Sequence, residues 1–285
     1  MLSYRHAFHV GNFADVFKHI VLIQVLDALK KKDKPFFVLD CHAGKGKYDL
    51  RNARTKLKEE WRQGVALLWE QKKFPHGVQP YMDILHALNP KATRTGGMLI
   101  HYPGSPEILH RLLRPGDRLL LTELQDEELA SLQKQYSENR KIQIRKQDAY
   151  QALNASVPPP EKRGLVIIDP SFERKTERQD IVAAVMNAWK KWPTGVYMIW
   201  HPLQGRSQTE QFYRQMRDSG ITRILKAELS ILPDDVDKRL NGSGVLLINP
   251  PWPMEESLRE ILPWLHNVLS PDGRGGWQVD WLVSE

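Results

Sequence analysis

The 285-residue chain has a single cysteine, Cys41, so it can form neither an internal disulfide nor a cysteine-based zinc site. It has no apolar run approaching the roughly 20 residues that a membrane-spanning helix needs. No internal repeat or low-complexity tract is visible, and Pro158-Pro159-Pro160 reads as a stiff turn before a strand. The scattered histidines show no ligand spacing, so no metal is expected. The first residues include His, Arg, Asn and Asp, which is not the pattern of a signal peptide. With 41% hydrophobic and 26% charged residues, the composition is that of an ordinary globular protein. A cytoplasmic protein is the expectation, with a monomer as the working state.

Charge is unevenly placed. Lys and Arg number 41 against 34 Asp and Glu, for a net +7. Between Lys30 and Lys73 lie 13 basic and 6 acidic residues, which accounts for the whole excess. Such a patch suits an anionic partner, with nucleic acid foremost, or the solvated faces of ordinary helices. Charge alone leaves both open.

Short apolar runs alternate with segments of helical spacing. Phe36–Leu39, Leu119–Thr122, Ile142–Ile144, Leu165–Ile168, Val196–Trp200 and Val245–Ile248 read as strands covered on both faces. Helical patterns at Glu127–Tyr136, Ile181–Trp192 and Glu210–Ser219 separate them. This rhythm predicts an α/β fold with a doubly wound, mostly parallel sheet. From about Arg51 to His101 the rhythm breaks. Two amphipathic patterns, Leu57–Trp69 and Val78–Leu88, precede a strand candidate at Met98–Ile100. Residues 51–101 read as a helical insertion, with 1–50 and 102–285 forming the main domain.

The chemistry sits at strand ends. Asp40-Cys-His42-Ala-Gly44-Lys-Gly46 follows the first strand, where glycines let backbone approach a ligand closely. The third glycine of a dinucleotide loop is absent, as is the Gly-Lys-Ser/Thr of a phosphate loop. An Asp at this point fits a nucleoside with a cationic end. Glu123, at the end of the next core strand, suits ribose hydroxyls, although a solvent-facing strand-end Glu is the commoner case. Asp148 could accept from an adenine amino group while the Ala149 N–H donates to the ring; it would equally cap the helix that begins nearby.

The most specific motif is Asp169-Pro170-Ser171-Phe172 after an apolar strand. A carboxylate and a neighbouring carbonyl can accept both hydrogens of an exocyclic adenine amine, whose lone pair is otherwise delocalised, while an aromatic ring stacks on the base. Ile248-Asn249-Pro250-Pro251-Trp252 matches the same pattern. Order along the chain favours Asp169, because the crevice of a doubly wound sheet lies beside its first strand and the Asn249 strand comes late. Asn also cannot take up a proton.

Together these motifs resemble a class I S-adenosylmethionine-dependent methyltransferase. The opening Met1-Leu-Ser-Tyr4-Arg-His6 through Asp15-Val-Phe-Lys18-His19, the Leu39–Gly44 loop, Tyr102-Pro-Gly-Ser105-Pro, Leu121-Thr-Glu123-Leu and Asn249-Pro-Pro-Trp-Pro resemble the bacterial 23S rRNA adenine-N6 methyltransferase J family over essentially the whole chain. The resemblance implies a seven-stranded Rossmann-like sheet with a helical insertion, and S-adenosylmethionine as cofactor. It assigns cofactor contacts to His19, His42, Gly44, Ser105, Glu123, Asp148, Ala149 and Asp169. Asp169, Pro170 and Phe172 would be catalytic, and Tyr4, His6 and Lys18 would face the RNA. Where the family reads Asp-Pro-Pro-Tyr, this chain has Ser171 and Phe172, which loosens the turn and removes a hydroxyl. A DNA or small-molecule methyltransferase and a non-catalytic RNA-binding relative remain open. Because the first loop and the insertion fall inside the basic window, the charge is expected to line one rim of the crevice.

Overall fold

The computed structural model describes residues 5–233 and 240–284. Ten strands form: β1 Phe37–Asp40, β2 Lys47–Asp49, β3 His101–Pro103, β4 Arg118–Thr122, β5 Ile142–Arg145, β6 Gly164–Ile168, β7 Val196–Leu203, β8 Ile224–Ser230, β9 Gly242–Ile248 and β10 Gly276–Val283. Eight of them make one sheet in the order β10-β8-β9-β7-β6-β1-β4-β5. The five from β7 to β5 pair in parallel, and every residue of β1 and β6 is buried, as continuous apolar runs covered on both faces require. β9 is antiparallel to β7 and β8, and β10 to β8. The sheet therefore has eight strands where seven were expected. The additional edge strand is β10, whose residues, all but one at least partly exposed, do not form the apolar run that marks the central strands.

After β1 the chain builds β4 and β5 on one side, then returns to place β6 on the other side of β1. This reversal opens a crevice at the carboxyl ends of β1 and β6, where doubly wound sheets bind ligands. β9 answers the question of the two Pro-aromatic motifs. It pairs antiparallel, with Ile248 opposite Tyr197 at the start of β7, so the chain leaves β9 at the opposite rim of the sheet. There the Asn249 side chain donates to the carbonyls of Pro193 and Gly195 at 2.7 and 2.8 Å.

The first long helix, Phe13–Lys30, is capped by Asn12, whose side chain accepts from the Asp15 N–H. Fourteen of its residues are buried, including Asp15, Lys18 and His19, so it is a core element and not a surface stripe. It packs against helices Gln79–Leu88 and Met254–Leu269.

The Leu57–Trp69 pattern is not one helix. It divides into Ala53–Lys58, a 3-10 turn Glu60–Gln63 and Val65–Trp69. The break has a steric cause. Gly64 lies so close to the backbone of Gly11 and Asn12 that a Cβ there would come within 2.2 Å of the Gly11 oxygen, and Val65 N–H donates to that oxygen at 2.8 Å. The strand foreseen at 98–100 forms at His101–Pro103, paired antiparallel with β2. The side chain of buried Asn89 sets that position by accepting from the N–H groups of Ile100 and His101 at 2.9 and 2.8 Å.

The basic window is split by the fold. Lys30–Lys34 follow the first helix to the amino end of β1, where Arg114 and Arg163 donate to the carbonyls of Lys32 and Lys34. That is the rim opposite the crevice, so the expectation of a single charged rim fails for these lysines. The part from Arg51 to Arg62 lies near the crevice. Helix Ala53–Lys58 packs on the 3-10 turn His6–Phe8, and Glu60 joins His9 and Asn12. Several of its charges are already paired, Arg54 with Glu127 and Arg62 with Glu59.

Candidate active site

A crevice of about 540 Å³ opens at the carboxyl ends of β1, β4, β5, β6 and β7. Its lining includes His6, Lys18, His19, His42, Gly44, Ser105, Glu123, Asp148, Ala149, Asp169, Pro170 and Phe172. These are all the candidate residues except Tyr4, which lies outside the described residues. The parallel order brings His42 and Asp169, 127 residues apart, to one place.

The first loop is shaped by Gly44 and Gly46, at φ of 63° and 85°, where L side chains are strained. A Cβ on Gly46 would meet the Tyr136 ring at 2.8 Å. Gly44 N–H donates to Glu123 Oε2 at 2.9 Å, while Glu123 Oε1 accepts from Leu124 and Gln125. Three N–H donors thereby orient a carboxylate that retains further lone pairs toward the crevice. Asp148 caps helix Ala149–Ser156 by accepting from Tyr150 and Gln151 through Oδ1, and it also lines the crevice.

Asp40 is fully buried at the end of β1. Burial pushes its carboxyl up to about 6; the Ser105 hydroxyl nearby works the other way, and Asp169 adds to the rise. Its Oδ2 has no hydrogen-bond partner. A buried carboxylate oxygen of this kind fits the cationic end of a small molecule.

Lys18 links two acids. Its Nζ lies 2.5 Å from Asp169 Oδ2 and 2.9 Å from Asp15 Oδ1. Burial alone would lower the Lys18 pKa, but the two carboxylates outweigh it and raise the value above the usual lysine range. Burial likewise opposes ionisation of Asp15, yet His6 and Lys18 hold it well below the usual range. His6 Nε2 lies 2.9 Å from Asp15 Oδ2. Lys18 and His6 thus belong to the charge system that positions Asp169.

The two inner histidines are neutral. Burial lowers His19 to about 3, and its Nδ1 meets the Tyr102 hydroxyl at 3.0 Å. Burial lowers His42 to about 4 despite the pull of Asp169, and its Nδ1 accepts from the Asp169 N–H at 3.2 Å. His42 therefore carries its proton on Nε2 and ties the first loop to the Asp169 turn.

Phe172 adopts φ of 53°, a left-handed conformation uncommon for an aromatic residue. Strain of this kind gathers at functional sites. Trp200, in β7, meets the Phe172 ring edge to face at 5.6 Å and lies 5.7 Å from Lys18 Nζ. Its indole N–H donates to buried Ser243 at 2.8 Å. The two rings line an aromatic slot beside Asp169. Trp200 was not anticipated as a site residue; its only signal is an aromatic near the carboxyl end of a buried run.

Among the described residues, no cluster of His, Cys, Asp or Glu is arranged to hold a metal, and no helix is long and apolar enough to cross a membrane.

Comparison with known proteins places the chain in a family. The chain is 40% identical to ribosomal RNA large subunit methyltransferase J of Escherichia coli, over 285 residues and all of both chains. It is equally identical to the Haemophilus influenzae protein of the same name over the same span. A crystal structure of a Legionella pneumophila protein superposes with a TM-score of 0.88 at 36% identity, covering 96% of this chain and 98% of that one. Residues 33–283 match the family model described as ribosomal RNA large subunit methyltransferase D, RlmJ. The chain belongs to that family of ribosomal RNA methyltransferases.

Proposed function

We infer that this protein methylates the N6 amino group of an adenine in 23S rRNA, with S-adenosylmethionine as the methyl donor. The observation that carries the reading is the joining of Asp169, Pro170 and Phe172 with Trp200 in a crevice lined also by Glu123 and Asp148, with Asp40 buried at the end of β1 next to the lining residue Cys41. When bound, S-adenosylmethionine supplies a methyl group activated by a sulfonium. Asp40 takes its ammonium end, Glu123 its ribose hydroxyls, and Asp148 with the Ala149 N–H its adenine, which suits a row of acids facing a cationic nucleoside.

The target adenine leaves its stack and enters the crevice beside the paired rings of Phe172 and Trp200. Asp169 and the Pro170 carbonyl accept the two amino hydrogens and concentrate the lone pair on nitrogen. Lys18 holds Asp169 in place, and Asp169 is the first acceptor for the amine proton. Residues 51–101, with the N-terminal arm carrying Tyr4 and His6, hold the RNA backbone. We assign the protein to the cytoplasm as a monomer.

Tritium transfer from labelled cofactor to unmodified 23S rRNA, DNA and free nucleosides tests the reading. Label is expected in 23S rRNA as N6-methyladenosine and is lost with Asp169→Ala. Label on DNA alone refutes the rRNA assignment. Cofactor binding without transfer to any substrate refutes catalysis.

A further inference from the structure

Arg178 is the second residue of helix Glu177–Lys191 and is half-buried beside the base slot. Its guanidinium carbon lies 5.3 Å from the Phe172 ring centroid. Nε is buried and has no hydrogen-bond partner. Nη1 reaches only Gln208 Oε1, at 3.4 Å. Among the described residues no carboxylate stands within ion-pair distance of it. Arg174, one turn earlier, is by contrast paired with Glu177 at 2.9 Å and Asp180 at 3.3 Å. The charge of Arg178 also reaches buried His201, which is flanked in β7 by the crevice residues Trp200 and Pro202.

A half-buried cation without a counter-charge is costly to hold. Here that cost falls next to the ring that receives the target base, in a protein whose substrate is a polyanion. A guanidinium matches two phosphate oxygens with its planar fork. We propose that Arg178 binds a backbone phosphate of the RNA at the target nucleotide, so that base and backbone are gripped by adjoining residues of one turn and helix. This inference rests on the RNA-methylating function above. It adds a residue that none of the motifs marks.

The test uses the full chain, a 23S rRNA transcript and the variants Arg178→Gln and Arg178→Lys. Binding is measured against potassium chloride concentration, alongside kcat and KM for methyl transfer. Arg178→Gln is expected to reduce the slope of log affinity against log salt by about 0.7 to 0.9, the signature of one lost phosphate contact. It should raise KM roughly tenfold with kcat little changed. Arg178→Lys should keep the slope, because the charge remains. An unchanged slope in Arg178→Gln overturns the proposal. So does a fall in kcat at constant KM, which identifies an arginine that only props the Phe172 ring. Absence of transfer by the wild-type protein refutes the underlying function instead, and is told apart on that control.

Discussion

Asp40 gives the sharpest physical test of the crevice. It is fully buried, and burial pushes its carboxyl from the ordinary 3.8 up to about 6. That gap corresponds to a penalty of about 3 kcal/mol for keeping the group ionised in the folded chain. Because the folded pKa lies above the unfolded one, the contribution of this carboxyl favours folding fully below the unfolded value, near 3.8. It is lost as the pH rises through about 6. Asp40→Asn removes the titration and keeps the shape. The stability of the variant relative to wild type should therefore improve by about 3 kcal/mol between about pH 4 and pH 7, read by urea denaturation without cofactor. A difference that does not vary with pH would refute burial as the cause. Binding makes the opposite demand, since an ammonium beside Asp40 favours the ionised form. Titration calorimetry should then show weaker cofactor binding by the variant, and proton release on binding to wild type near pH 6. Equal affinity would separate Asp40 from the cationic end of the ligand.

Two further expectations follow from the geometry. Lys18→Met leaves Asp15 buried without its ammonium partner and should destabilise the protein by roughly 3–5 kcal/mol in urea denaturation, with loss of methyl transfer. Asn249→Ala removes two hydrogen bonds on the far rim and should cost about 1–2 kcal/mol; its transfer rate should stay at the wild-type level, and a large fall would contradict the antiparallel placement of β9.

The central strands and the site residues at their ends were legible because buried parallel strands are continuous apolar runs, and the polar residue after each run marks the crevice. Other features were not. The helix Phe13–Lys30 has no apolar stripe because nearly all its faces are buried, and no local pattern shows that its Asp15, Lys18 and His19 are buried with them. β8 alternates buried and half-buried residues and β10 is mostly uncovered, so they lack the run that reveals β1 and β6. Gly64 interrupts the insertion through a contact with Gly11, 53 residues earlier, which no local pattern encodes. The fold places Asp169 in the crevice and Asn249 at the opposite rim, and what separates them is strand direction, which residue order does not give. Trp200, the Lys18 ion pairs and the position of Arg178 are products of tertiary packing and emerge only with the fold.

The central claim is that the crevice methylates one adenine of 23S rRNA at N6. Mass mapping of 23S rRNA from cells lacking this gene tests it most directly. The expected result is one N6-methyladenosine lost, restored by the wild-type gene and not by Asp169→Ala. A 23S rRNA whose adenine modifications are unchanged by the deletion would contradict the account.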